Sequence, residues 1–163
     1  MGEAAIAVQW RQPNLEEERR HRQNAIEEYA QRLKDSIRPT CIILFGSMAR
    51  GTDRVESDVD LVVIGGKLPE RIFDRLDVLA RLEWGIPVSI DAFPYTEAEF
   101  ERMLDNLHVT ALECIHHGIP LHGEEYFDRL RPKFEAYVAR GLRRGKAAWY
   151  FESRNLSELF RHL

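Results

Sequence analysis

"LFGSMARGTDRVESDVDLVVIGG", residues 44–66, begins in an apolar run, breaks at Gly46-Ser47, crosses ten mostly polar residues and then sets Asp58 and Asp60 at the mouth of a second apolar run. Two carboxylates at the head of a segment bound for the interior ask for a reason. In a strand, residues i and i+2 share a face, so Asp58 and Asp60 should project side by side from the edge where the strand begins. Carboxylates that close repel each other unless a cation lies between them. Mg2+ answers that need, because it takes oxygen ligands, keeps several waters and is held by one or two carboxylates together with substrate phosphates. Gly46 and Ser47 suit the other half of such a site. Glycine lets the backbone turn sharply and approach a ligand, while the Ser47 hydroxyl and the amides of the following turn can grip phosphate oxygens.

Outward from this stretch, "TCIILF" (40–45) and "DLVVIG" (60–65) are short, continuously apolar and β-branched, the pattern of strands buried on both faces. "VSIDAF" (88–93) reads as a third strand, with Asp91 near its end on the face of Ser89. If that strand lies beside the second, the three carboxylates converge. Pro13, Asn14 and Glu17 resemble a capping-box start, and Ile26, Tyr29, Ala30, Leu33 and Ile37 follow at helical spacing, which predicts a helix ending near Ser36. Ile72, Leu76, Leu79 and Ala80 form a second stripe, stopped by Gly85 and Pro87. Thr96 should cap a helix running to about Asn106, residues 109–117 make another, and "GIPLHG" (118–123) is a turn or a short edge strand. Past Glu124 the pattern is helical only, with one stripe at Phe127, Leu130, Phe134, Tyr137 and Val138 and another at Leu156, Leu159, Phe160 and Leu163. The layout is α/β of the α+β kind, a small mixed β-sheet with flanking helices and a C-terminal helical extension.

At 163 residues and 44% hydrophobic the chain suits one globular domain, or one with an extension, and can bury a real core. The net charge of −4 argues against a protein that coats nucleic acid, although the residues from Arg131 onward hold eight Lys or Arg against three Glu. In that segment "RGLRRGKAAWYF" interleaves cations with Trp149, Tyr150 and Phe151, as some nucleic-acid binders do. Packing on the core or on a partner is the favoured reading. Cys41 and Cys114, each among apolar neighbours, fit reduced buried thiols in a cytosolic protein. His108, His116, His117 and His122 lack a zinc-motif spacing and read as surface or capping residues. No secretory or myristoylation signal and no membrane-spanning run is present, so a soluble cytoplasmic protein is expected. A P-loop is excluded by the lack of GxxxxGK[ST].

Gly46-Ser47, Ala49-Arg50-Gly51, Ser57-Asp58-Val59-Asp60-Leu61 and the later Asp91 together resemble the nucleotidyltransferase superfamily that includes DNA polymerase beta. More closely, the stretch is similar to the minimal nucleotidyltransferases of prokaryotes, in which a GSxARG segment precedes SDxDL. The resemblance implies a nucleotidyltransferase catalytic domain over 1–123, with 124–163 as the helical extension. It implies that Gly46 and Ser47 bind the triphosphate, that Asp58 and Asp60 hold two Mg2+ ions, and that Asp91 completes the second metal site and helps deprotonate an attacking hydroxyl. The chemistry would be in-line attack on the α-phosphate with loss of pyrophosphate. Arg50 is a candidate phosphate contact, and Ser57 is expected to shape the turn into Asp58 rather than touch substrate.

The expected substrate is a nucleoside triphosphate, ATP foremost, and the acceptor stays open. So short a catalytic core leaves no room for template-gripping subdomains. The minimal group implies a helical HEPN partner and an antitoxin role; the alternatives are an antibiotic-modifying nucleotidyltransferase and a module that neutralises its partner by contact alone. The C-terminal segment, with its apolar stripes, aromatics and positive charge, is expected to bind a second copy, as a homo-oligomer, or an acidic partner.

Overall fold

The structure, a computed structural model, describes residues 15–52 and 58–152. Asn14, Ser57 and the stripe at Leu156, Leu159, Phe160 and Leu163 lie outside the described residues. Helix α1 (Leu15–Ile37) leads to strand β1 (Cys41–Phe45), the short helix α2 (Gly46–Arg50), strand β2 (Val59–Ile64), helix α3 (Ile72–Glu83) and strand β3 (Ile90–Tyr95). Helices α4 (Glu97–Asp105) and α5 (Val109–His117), strand β4 (Ile119–His122), helix α6 (Glu124–Ala139) and strands β5 (Leu142–Arg144) and β6 (Trp149–Phe151) follow.

The continuous apolar runs become the centre of the sheet because neither of their faces meets water. The order is β3-β2-β1-β4, with β2 antiparallel to β1, β4 antiparallel to β1 and β3 parallel to β2. Alternation then divides the core in two. Ile42, Leu44, Leu61 and Val63 pack against α1 and against Leu79 of α3, whereas Cys41, Ile43, Val62 and Ile64 pack against α4, α5 and α6. Of the stripe expected on α3 only Leu79 is covered, and Ile72 and Leu76 are exposed. That helix packs on β3, the edge strand, and on α1, so a single row of its side chains reaches the core. Thr96 caps α4 as expected, in a capping box with Glu99.

Two expectations change, and one open alternative is decided. The third strand starts and ends two residues later than 88–93, which puts Asp91 at its beginning rather than near its end. The sequence reading stopped at Phe93 because Pro94 has no N–H for a ladder. Tyr95 O accepts from Gly65 N on the β2 side, and alternation therefore turns the nitrogen of Pro94 outward, where an edge strand needs no donor. "GIPLHG" resolves as the opposite edge strand, β4, carrying Pro120. Past Glu124 the chain is not helical throughout: α6 is followed by an antiparallel hairpin of β5 and β6. Gly141, at φ 102, ends the helix in a conformation that other residues resist, and the aromatic triplet Trp149–Phe151 favours strand. Leu142 is buried in the same core cluster as Phe127, Leu130 and Phe134 of α6, and Trp149 and Phe151 pack against it.

Candidate active site

The geometry of the site starts at Gly46. At the end of β1 the backbone turns with Gly46 at φ 73, and a Cβ there would collide with Asp60 Oδ2. Only glycine lets the turn lie flat against that carboxylate. Helix α2 follows at once and closes at Gly51, whose N–H donates to Met48 O at 3.1 Å, while Thr52 N–H donates to Ser47 O at 3.0 Å. Ser47 is half-buried, and its hydroxyl has no protein partner among the described residues.

Register places the carboxylates. In the parallel pair of β2 and β3, Asp60 stands directly beside Asp91, and on its other side faces Phe45 of β1. Val59 N–H donates to Ser89 O at 3.1 Å and ties the two strand starts together. Asp58 lies one residue ahead of β2 and is exposed, as is Asp91, whereas Asp60 is half-buried. Burial raises the Asp60 carboxyl above the usual range, the charges of Asp91 and Asp58 raise it further, and Arg50 opposes them. Asp60 is thus within electrostatic reach of both Asp91 and Asp58. Among the described residues no three carboxylate, thiol or imidazole groups close into a ready-made metal cage. The aspartates form an open, oxygen-only edge instead, a donor set that fits Mg2+, which takes its remaining ligands from water and phosphate.

Arg50 points to an acid not anticipated from the sequence. Its Nη1 donates to Glu113 Oε2 of α5 at 3.3 Å, while Glu113 Oε1 accepts from Arg144 Nε at 2.6 Å and from Trp149 Nε1 at 2.9 Å. The Glu113 side chain is only 13% exposed. Burial alone would raise its pKa, but the bonds from Arg144 and Trp149 and the two guanidinium charges outweigh it and hold the carboxyl below its ordinary value. One carboxylate therefore joins the α2 turn, α5 and both strands of the hairpin. The one hint in the sequence is an acid embedded in the apolar run "ALECI".

The remaining polar candidates are structural. His108 Nδ1 accepts from Thr110 N–H at the start of α5, and a His122 ring nitrogen sits 3.1 Å from Pro39 O. His116 packs edge-on against Trp149 with ring centroids 5.2 Å apart. Both cysteines are free and buried, and burial pushes the Cys41 thiol up to about 12. No helix among the described residues is long and apolar enough to cross a membrane.

Comparison with known proteins agrees with this geometry. Over 58 residues the chain is 48% identical to a protein of Methanocaldococcus jannaschii named, provisionally, as a protein adenylyltransferase. The match covers 34% of this chain and 40% of that relative, so the chain spans well under half the length of the curated relative it matches. Among solved structures, a toxin–antitoxin crystallised with AMP-PNP is 20% identical at a TM-score of 0.50, covering 71% of this chain and 86% of that one. A crystal structure from Sulfolobus solfataricus, described provisionally as a nucleotidyltransferase, is 23% identical at a TM-score of 0.46, covering 58% of this chain and 84% of that one. At 20% identity the likeness to the toxin–antitoxin structure speaks for the fold alone. The family model of the nucleotidyltransferase domain matches residues 25–114, more than half of the chain, from within α1 through Asp91 to Glu113. The chain belongs to the nucleotidyltransferase domain family.

Proposed function

We propose that the chain transfers a nucleoside monophosphate, AMP from ATP foremost, to a hydroxyl group of an acceptor, with Asp58, Asp60 and Asp91 as the catalytic carboxylates. The observation that carries this reading is the register pair Asp60 and Asp91, with Gly46 pressed against Asp60 so that the α2 turn and the carboxylates share one edge. In the reaction the acceptor oxygen forms a bond to the α-phosphorus, the bond from that phosphorus to the bridging oxygen breaks, and pyrophosphate leaves with the bonding electrons. Two Mg2+ ions held by the aspartates would supply charge neutralisation on the attacking and leaving oxygens. Asp58 and Asp60 would hold those ions at the oxygen-only edge. Asp91, exposed beside Asp60, takes the proton of the acceptor hydroxyl. Ser47 and Arg50 face the phosphates from the α2 turn, where the free Ser47 hydroxyl is a ready donor.

The acceptor we propose is a protein hydroxyl on a helical toxin of the HEPN type, with the chain as its antitoxin. The adenylyltransferase naming of the Methanocaldococcus relative and the toxin–antitoxin fold neighbour support that direction. The test is incubation with α-labelled ATP, Mg2+ and proteins co-purified from the native cell, comparing wild type with Asp60→Asn. Label on a partner with wild type alone supports the reading. A partner that is captured by both proteins and labelled by neither would make the chain a contact-only antitoxin, and label on a small molecule would move the acceptor to an antibiotic-like hydroxyl.

A further inference from the structure

Beside the α2 turn lies a cavity of about 210 Å3, bounded by Phe45 and Gly46 on one side and by the hairpin turn, residues 145–148, on the other. Phe45 is the register partner of Asp60, so the cavity adjoins the carboxylate edge at a distance of one strand. Its polar lining is unbalanced. Arg50, Arg144 and Lys146 border it against a single acid, Glu113. That acid holds Arg50 and Arg144 at the same carboxylate, each by one nitrogen, while Lys146, exposed at the hairpin turn, has no ion-pair partner among the described residues. A cluster of cations with one uncommitted ammonium, held beside a carboxylate edge, is complementary to a ligand more negative than a single carboxylate. Guanidinium forks suit phosphate oxygens, and a lysine serves as a mobile point charge on them.

We infer that this cavity receives the β- and γ-phosphates of the nucleoside triphosphate, with Lys146 and Arg144 reaching them from the hairpin and Arg50 from the α2 turn. The inference rests on the nucleotidyl-transfer reading and deepens it: the group held here is the one that leaves as pyrophosphate. An uncharged base would leave the cationic lining without a counterpart. The family match ends at residue 114, ahead of the hairpin that supplies Arg144 and Lys146.

The experiment uses inorganic tripolyphosphate with Mg2+ as the probe, titrated calorimetrically into wild type, Lys146→Gln, Lys146→Arg and Lys34→Gln. Lys34, in the last turn of α1, lies before β1 rather than at its end and serves as the remote charge control. Lys146→Gln should weaken tripolyphosphate binding roughly tenfold, the loss of one charge-assisted contact, and leave adenosine binding unchanged. Lys146→Arg should retain most of the affinity and Lys34→Gln all of it. In the transfer assay Lys146→Gln should raise KM for ATP. Wild type that binds no tripolyphosphate, equal binding by Lys146→Gln, or an equal loss in Lys34→Gln would overturn the inference. The two readings fail separately. Transfer with an unchanged KM in Lys146→Gln removes the cavity assignment alone, whereas Lys146-dependent tripolyphosphate binding in a protein that labels nothing removes the transfer reading alone.

Discussion

The two walls of the candidate cleft are built by different means. On one side Asp60 and Asp91 stand on paired strands, held by ladder hydrogen bonds and by a register that a one-residue slip would destroy. On the other side the hairpin rests on the core through Leu142, Trp149 and Phe151 and is tied to the α2 turn by the Glu113 side chain, which bonds Arg50, Arg144 and Trp149. A wall fixed by backbone keeps its shape when a side chain is changed. A wall positioned by side chains responds to each of them. Substitutions on the first side should therefore alter chemistry with little effect on structure, and substitutions at the second should alter structure first.

Gly46→Ala should break this contrast most completely, because here the backbone itself is the target. The left-handed conformation costs a residue with a Cβ about 1–2 kcal/mol, and the new methyl must displace the Asp60 carboxylate. Transfer of label from ATP should be lost and the melting temperature lowered together. Transfer that persists at the wild-type rate would show that the Gly46 turn does not shape the site.

Glu113→Gln should reveal the other wall. Replacing a carboxylate that accepts two strong hydrogen bonds should cost about 2 kcal/mol, with faster amide hydrogen exchange in β5 and β6 and little change in β2 and β3. Because the Glu113 carboxyl is held below its ordinary pKa, its contribution is present above the unfolded value and fades as pH falls through the lower folded value. The difference in denaturant midpoint between wild type and Glu113→Gln should shrink toward acid pH. Uniform exchange rates across both sheets would mean that the hairpin does not depend on this acid.

Ser47→Ala probes the first wall without touching its frame. It should weaken binding of a non-hydrolysable ATP analogue by roughly 1–3 kcal/mol with an unchanged melting temperature, measured by calorimetry on the two proteins. An unchanged affinity would leave the backbone amides as the phosphate grip.

The smallest effect expected is on stability at Asp60. Its carboxyl is raised by burial and then by Asp91 and Asp58, so ionisation is unfavourable in the metal-free fold. The stability linked to it is full below the unfolded pKa of about 3.9 and is lost as pH rises through the higher folded value. Asp60→Asn should therefore melt slightly above wild type at neutral pH without Mg2+, and the gap should close toward pH 4. A variant that melts lower at neutral pH would mean that Asp60 stabilises the fold by its charge.

The sequence carries the first wall far better than the second, and the cause is physical. β1, β2, Gly46 and the Asp58/Asp60 doublet lie in one short stretch, where strand alternation and turn chemistry act locally. Even Asp91 could be anticipated once the third strand was set beside the second, although Pro94 hid the true span of β3 until the edge position of that strand was known. Glu113 meets its partners 63, 31 and 36 residues away in sequence, and nothing local says which cations a lone acid on a helix will find. The hairpin strands, three residues each, are too short to show a period, so a stretch rich in Arg and aromatics read as one more helical face. Trp149 and Phe151 proved to be packed against the core, which leaves Tyr150 as the exposed member of the triplet expected to form a docking surface.

The outward-facing nitrogen of Pro94 has a consequence for assembly. Both borders of the four-stranded sheet carry an imino acid, Pro94 in β3 and Pro120 in β4. An extended peptide laid along β3 as a fifth strand would find no N–H donor at Pro94, the last outward-facing position of the strand, where such docking needs an unbroken series of donors. Growth of the sheet into fibrils or strand-swapped pairs is discouraged there by the same gap. Pairing of a partner's backbone with that border is thereby disfavoured, whereas contacts made by side chains are untouched by it.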